Sequence, residues 1–189
     1  MERQVSLLLH QKDAIMPNWV RNRVSITGTK ENLDKLWERL VKSVELEKGF
    51  LETFKPMPAV LLTFSTGGSR DHETGEQLRV WRDTPKGASK IPDDELREIV
   101  KEHGTASWYD WACTNWGVKW DGKMSFSDGE KIHISRGTRS ISIDWDVAWS
   151  YPEPIYQMIA NEYKVHVSVR LSGEWEGEPH VSFDPVDED

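Results

Sequence analysis

Cysteine is almost missing from this chain: Cys113 is the single one in 189 residues. An intrachain disulfide is therefore impossible, and so is a zinc site built on several thiolates. A lone cysteine of this kind is expected to be a small buried packing residue. Long apolar runs are missing too, none approaching the ~20 residues a membrane span needs. The opening Met1 to His10 has a short apolar segment and no small-residue cleavage site, so no secretory signal is expected. Basic surplus is lacking as well. Lys and Arg total 24 against 32 Asp and Glu, a formal net charge of −8, where a general nucleic-acid binder would carry a basic footprint. The acid surplus favours solubility and admits a positively charged partner. The expectation is a soluble cytoplasmic protein, one domain or one domain with a sizeable insertion, long enough to build a core unaided.

Recognisable chemistry is equally scarce. None of His10, His72, His103, His133, His166 and His180 lies three to five residues from another, as many zinc sites require. Asp71-His72-Glu73 reads as a solvated loop cluster. Ser65, Ser69 and the nearby glycines lack the spacing of a phosphate loop, and no nucleophile–base set is visible. No catalytic residue, cofactor or metal is expected.

What the chain does have is periodicity. Val20, Val24 and Ile26 share one strand face and Arg21, Arg23, Ser25 and Thr27 the other. Lys30 to Glu45 reads as a helix on Leu33, Leu36, Trp37, Leu40, Val41 and Val44, with Asn32 as a candidate cap. Phe50, Glu52 and Phe54 form a short run read as a strand, stopped by Pro56-Met57-Pro58. Later, Ile141, Ile143, Trp145 and Val147 alternate with polar residues. Ile155, Met158, Ile159 and Tyr163 fit a helical face after Pro152 and Pro154, and Val165 to Leu171 alternates again. Two βαβ units imply an α+β fold, a four-stranded ferredoxin-like antiparallel sheet with both helices on one side. The domain would span 18–177, after an irregular lead-in over 1–17 and before an acidic tail at 178–189. A long Trp-rich insertion occupies about 59–135. It comprises loops around a possible strand at Gln77 to Trp81, helices at Asp93 to His103 and Ser107 to Asn115, and a hairpin of Met124 to Phe126 with Lys131 to Ser135 across Asp128-Gly129.

Four of the ten tryptophans fall between Trp108 and Asp121. Together with Pro17-Asn18-Trp19, Asn22, Gly28, Pro56-Met57-Pro58, Asn115-Trp116-Gly117, Lys119, Trp120, Asp121, Ala148-Trp149-Ser150 and the late Gly173, Trp175 and Gly177, they make the chain resemble the YubB-type ferredoxin-like domain family of phage- and plasmid-encoded proteins. The resemblance covers most of 17–177. The glycine-rich stretch from Thr63 to Lys90 and the tail depart from it. It implies a ferredoxin-like core and a mobile-element origin, with no transferable reaction.

Two enzyme-like or nucleic-acid readings of such a sheet are weakened by its own residues. Base stacking on the two central strands needs rings beside Arg21, Arg23, Ser142, Asp144 and Asp146, and none is expected there. A two-metal palm needs carboxylates on adjacent strands, whereas Asp144 and Asp146 face Arg21 and Arg23. Cross-strand charge pairing, with Arg170 included, is the simpler use of these residues. Trp19, Trp108, Trp111, Asn115, Trp116, Gly117 and Trp120 are expected to be structural, plugging the insertion onto the core. Trp81, Tyr109, Trp149 and Trp175, in irregular segments, are the candidate exposed contacts, with Glu174, Glu176 and Glu178 steering toward a basic surface.

The function expected is non-enzymatic: binding and inhibition of a host protein, such as a component of antiviral or restriction machinery, within a bacterial cytoplasm. DNA mimicry is weakened by the scattered Lys and Arg. The alternative is a single-stranded nucleic-acid module using insertion aromatics, and a third option is a metal-dependent nucleotide enzyme centred on Asp144 and Asp146.

Overall fold

Strict alternation of apolar and polar residues builds the main sheet, because each strand must bury one face and wet the other. The computed structural model describes residues 18–65, 81–126, 132–173 and 178–186. Strand β1 (Trp19–Thr27) buries Val20, Asn22, Val24 and Ile26 and turns Trp19, Arg21, Arg23, Ser25 and Thr27 outward. Helix α1 (Lys30–Glu45) follows, burying Leu33, Leu36 and Leu40. Its cap is Thr29, whose hydroxyl accepts from the Asn32 N–H at 3.2 Å. Asn32 instead sends its side-chain amide to the Lys164 carbonyl at 3.2 Å.

The run expected to be the second strand is a helix, α2 (Phe50–Phe54), which buries Phe50, Leu51, Thr53 and Phe54. A 3-10 turn (Ala59–Thr63) leads into a small three-stranded antiparallel sheet. It consists of β2 (Phe64–Ser65), β3 (Trp81–Thr84) and β4 (Gly87–Lys90), in that order. The Pro85-Lys86-Gly87 stretch, read as loop, is thus a hairpin turn and the start of a strand. Helices α3 (Asp93–His103) and α4 (Trp108–Asn115) fall where helices are expected; α3 ends where Gly104 takes φ +78°, the left-handed stop that glycine favours.

β5 (Met124–Ser125) lies parallel to β6 (Ile132–Arg136), not antiparallel as a hairpin would require. Its direction is fixed from behind: Phe50 N–H donates to the Gly122 carbonyl at 3.0 Å, and Gly49 bridges Lys123. Then come β7 (Ser140–Ala148), α5 (Glu153–Tyr163), β8 (His166–Ser172) and β9 (His180–Phe183). The last strand falls within the stretch expected to be a tail. Residues 1–17, Gly67-Gly68, Gly75, Gln77 to Val80 and Asp128-Gly129 lie outside the described residues.

The six strands run in the order β5-β6-β7-β1-β8-β9. β1 is antiparallel to both neighbours, Val24 standing opposite Ile143 and Val169. β7 and β8 therefore run the same way on either side of β1, and β1 and β6 on either side of β7. The place next to β7 is filled by β6, which the sequence reading assigned to the insertion. This is a mixed α+β fold. Helices α1, α2 and α5 pack on one another and on one face of the sheet, and among the described residues no helix is long and apolar enough to cross a membrane.

Three polar side chains inside this core, Asn22, Tyr156 and Trp145, form one hydrogen-bonded set. Asn22, fully buried, donates to the Val20 carbonyl at 3.0 Å. Its side-chain oxygen accepts from the Tyr156 hydroxyl at 3.2 Å, which in turn accepts from the Trp145 indole N–H at 3.0 Å. Burial pushes the Tyr156 hydroxyl pKa far up, so it remains a donor at any working pH. Tyr156→Phe should leave Trp145 and Asn22 each short of a partner and lower stability by about 1–3 kcal/mol, read as a shift of the urea midpoint at unchanged slope; an unmoved midpoint would show the network to be dispensable.

Candidate interaction surface

The segment from Asn115 to Asp121 gives most of its residues a distinct physical task. At the end of α4, Asn115 donates to the Trp111 carbonyl at 2.9 Å. Trp116 is buried, edge-on to Trp111 with centroids 5.5 Å apart, and its indole N–H donates to the Lys55 carbonyl at 2.8 Å. That bond supplies a partner for a carbonyl at the end of α2. Gly117 takes φ +78° and lies so close to α5 that a Cβ would stand 2.8 Å from Pro154 Cδ. Val118 is buried.

Asp121 then closes the segment onto α2. Oδ1 accepts from the N–H groups of Leu51 at 2.8 Å and Gly122 at 2.7 Å, and Oδ2 from Glu52 at 2.8 Å. A carboxylate at a helix start satisfies orphan donors and meets the positive end of the helix dipole. The approach requires Gly49, where a Cβ would fall 2.0 Å from Asp121 Oδ2.

Between these anchors, Lys119 and Trp120 are held at the surface. Trp120 stacks on Trp19 with centroids 6.3 Å apart and planes at 29°. Lys119 Nζ sits 4.2 Å from the Trp120 centroid and 5.4 Å from that of Tyr109, so one cation bridges two rings. Trp149 joins the same end of the sheet, its backbone N–H donating to the Asn18 carbonyl at 2.8 Å. All four rings are exposed: Trp19 by 52%, Trp149 by 48%, Trp120 by 42% and Tyr109 by 41%. Beside the stacked pair opens a cleft of about 720 Å³, lined among others by Asp121, Trp145, Asp146 and Ala148.

Several expectations change. Trp111 and Trp116 are core residues and Trp108 is half-buried, but Trp19 and Trp120, expected to be structural, are surface rings. The signal for Trp19 was present: it has the same strand parity as Arg21 and Arg23, which carries a ring onto the face judged to have none. Of the expected contacts, Tyr109 and Trp149 belong to this cluster, while Trp81 is exposed on the smaller sheet. Glu174, Trp175 and Glu176 lie outside the described residues. Glu178 is exposed and stands 4.0 Å from the Arg170 Nε of its own chain. Cys113 is exposed, not buried, because it lies on the solvent side of α4 away from Trp111 and Ala112.

Of the charge pairing expected on the sheet, the part centred on Arg21 is present, whereas Arg170 stands against Glu178 instead. Arg21 reaches Asp144 at 2.5 Å and Asp146 at 3.2 Å. These half-exposed pairs contribute at most about 1 kcal/mol each. Among the described residues, no group of three or more His, Cys, Asp and Glu is placed to hold a metal ion.

No family model matches the chain, and no curated protein matches it. A solved structure does: the crystal structure of protein api92 from Yersinia pseudotuberculosis, described with the family model DUF1281. It is 13% identical, with 89% of this chain and 95% of that one covered and a TM-score of 0.45.

Burial pushes the Asp121 carboxyl above the usual carboxylate range, while its three N–H donors pull it part of the way back. A carboxyl raised on folding stabilises fully below its unfolded pKa and loses that contribution as pH rises through the folded one. Wild type should therefore lose stability relative to Asp121→Asn across the pH range just above the ordinary aspartate value; parallel pH–stability curves would contradict this. Asp121→Ala, which strips the helix start of its acceptor, should cost about 1–3 kcal/mol in denaturant unfolding.

Proposed function

We propose that this chain is a non-enzymatic binding protein that recognises another protein through the rings at the Trp19 end of its sheet. In the setting its YubB-type resemblance implies, the consequence of binding is inhibition of a host protein, such as a component of antiviral defence. The observation that carries the binding reading is the set of four exposed rings, three of them linked through Lys119 and the Trp19–Trp120 stack. Tryptophan and tyrosine so placed are the residue types that dominate contact energy at protein interfaces.

Trp149 strengthens the reading. Its φ is +66°, a left-handed conformation that costs a residue with a side chain about 1–2 kcal/mol. Its ring is nevertheless left half in water, with apolar area that a partner could still cover. Strain of this kind is found where a contact requires it.

We further infer that the core is of the ferredoxin-like kind, with β1-α1-β6 and β7-α5-β8 as its two βαβ units. The order β6-β7-β1-β8 and the position of α1 and α5 on one face support it. A second reading, single-stranded nucleic acid, draws on Trp19 sharing its strand face with exposed Arg23.

Immobilised protein should retain a discrete partner from bacterial lysate, and Trp19→Ala, Trp120→Ala and Trp149→Ala should each lose it while Trp81→Ala does not. Salt-sensitive binding of single-stranded oligonucleotides in a gel-shift series, with no partner retained, would replace this reading with the second. The strain itself is checked separately. Trp149→Gly and Trp149→Ala both remove the ring, so the glycine variant should be more stable than the alanine variant by about 1–2 kcal/mol; equal stabilities would show that Trp149 is unstrained.

A further inference from the structure

We propose that the cleft beside the Trp19–Trp120 pair receives a cationic side chain, an arginine guanidinium or a lysine ammonium, from a basic segment of the partner. This rests on reading the surface as partner-binding and specifies the chemistry of what it binds. The cleft, about 720 Å³, is of a size that accepts a long side chain with some of its flanking backbone. Its walls join indole rings, Trp19 and Trp120, to the carboxylates of Asp121 and Asp146, and no described residue lining it is Lys or Arg. Ring faces attract cations through their negative quadrupole, and a carboxylate beside them adds charge and hydrogen-bond acceptors. The same recognition already operates within the chain, where Lys119 Nζ stands 4.2 Å above Trp120.

The two acids play different parts. Asp121 is held by three backbone N–H groups and shapes the wall. Asp146 has 51% of its side chain exposed and shares the Arg21 guanidinium with Asp144. Lys119 adds a second cation above Trp120, so the negative charge offered to the cleft is that of the half-exposed Asp146 carboxylate, which only shares Arg21. Arg23 stands opposite Asp144 in the register, one pair further from the cleft than the Arg21–Asp146 pair. A nucleic-acid strand stacked on these rings would bring phosphate toward Asp146, whereas a basic peptide brings a complementary charge. The net charge of −8 acts in the same direction at longer range.

The test uses the full chain and a short capped glycine-serine peptide with one central arginine. Lysine, norleucine and glutamate versions and a short thymidine strand complete the set, and indole N–H resonances provide the readout. The arginine and lysine peptides should shift the Trp19 and Trp120 signals saturably. Trp19→Ala should weaken this binding roughly 5–10-fold, Asp146→Asn roughly 2–5-fold, and Trp120→Phe, which keeps a ring face, less than Trp19→Ala. Circular dichroism confirms that each variant is folded. Equal shifts with the norleucine or glutamate peptide, binding of the thymidine strand alone, no shift with any probe, or arginine binding unchanged in Trp19→Ala would each overturn the cleft assignment. Partner retention by the wild-type protein is read independently, so the cleft can fail while the ring surface stands.

Discussion

Asp121 at the start of α2 is the constraint on which the rest of the surface depends. One side chain satisfies two of the helix's orphan donors and a third N–H in its own turn. It thereby joins residues 70 positions apart in sequence. The same contact fixes the path of the chain on both sides. Upstream, Trp120 is brought against Trp19; downstream, Gly122 and Lys123 dock on Gly49 and Phe50 and set the direction of β5. Gly49 is the matching constraint, since any side chain there would occupy the space of the carboxylate.

The aromatic residues are divided by that geometry. Trp111, Trp116 and Trp145 are buried, and the indole N–H groups of Trp116 and Trp145 each have an acceptor, as a buried indole requires. Trp19, Trp120 and Trp149 are half in water at one end of the sheet. Anchoring by the first set is what lets the second be displayed without collapsing onto the core. A rigid display lowers the ordering cost of binding, which favours contact residues held in place by secondary structure.

Much of the fold was legible because its period is strong. The alternation in β1, β7 and β8 and the three-and-four spacing in α1 and α5 each admit one reading. Phe50 to Phe54 did not: in five residues, rings at the first and last positions satisfy both a strand and one turn of helix. The deciding contact, Asp121 on its N–H groups, is distant in sequence and invisible to local pattern. β5 failed for the same reason, its direction being set by a bridge to Gly49. The surface was half legible. Tyr109 and Trp149 were expected to be exposed from the irregular segments around them, whereas Trp19 and Trp120 become surface rings only through their stack. Cys113 shows that a small apolar residue on a short helix is placed by which face its larger neighbours claim.

Amide hydrogen exchange tests the central constraint most directly. With the Asp121 carboxylate on α2, the N–H groups of Leu51 and Glu52 should exchange slowly, in the protected class of the sheet amides rather than of surface turns. Exchange of these two amides at open-loop rates in the intact protein would contradict the placement of Asp121, and with it the mounting of Trp120 against Trp19.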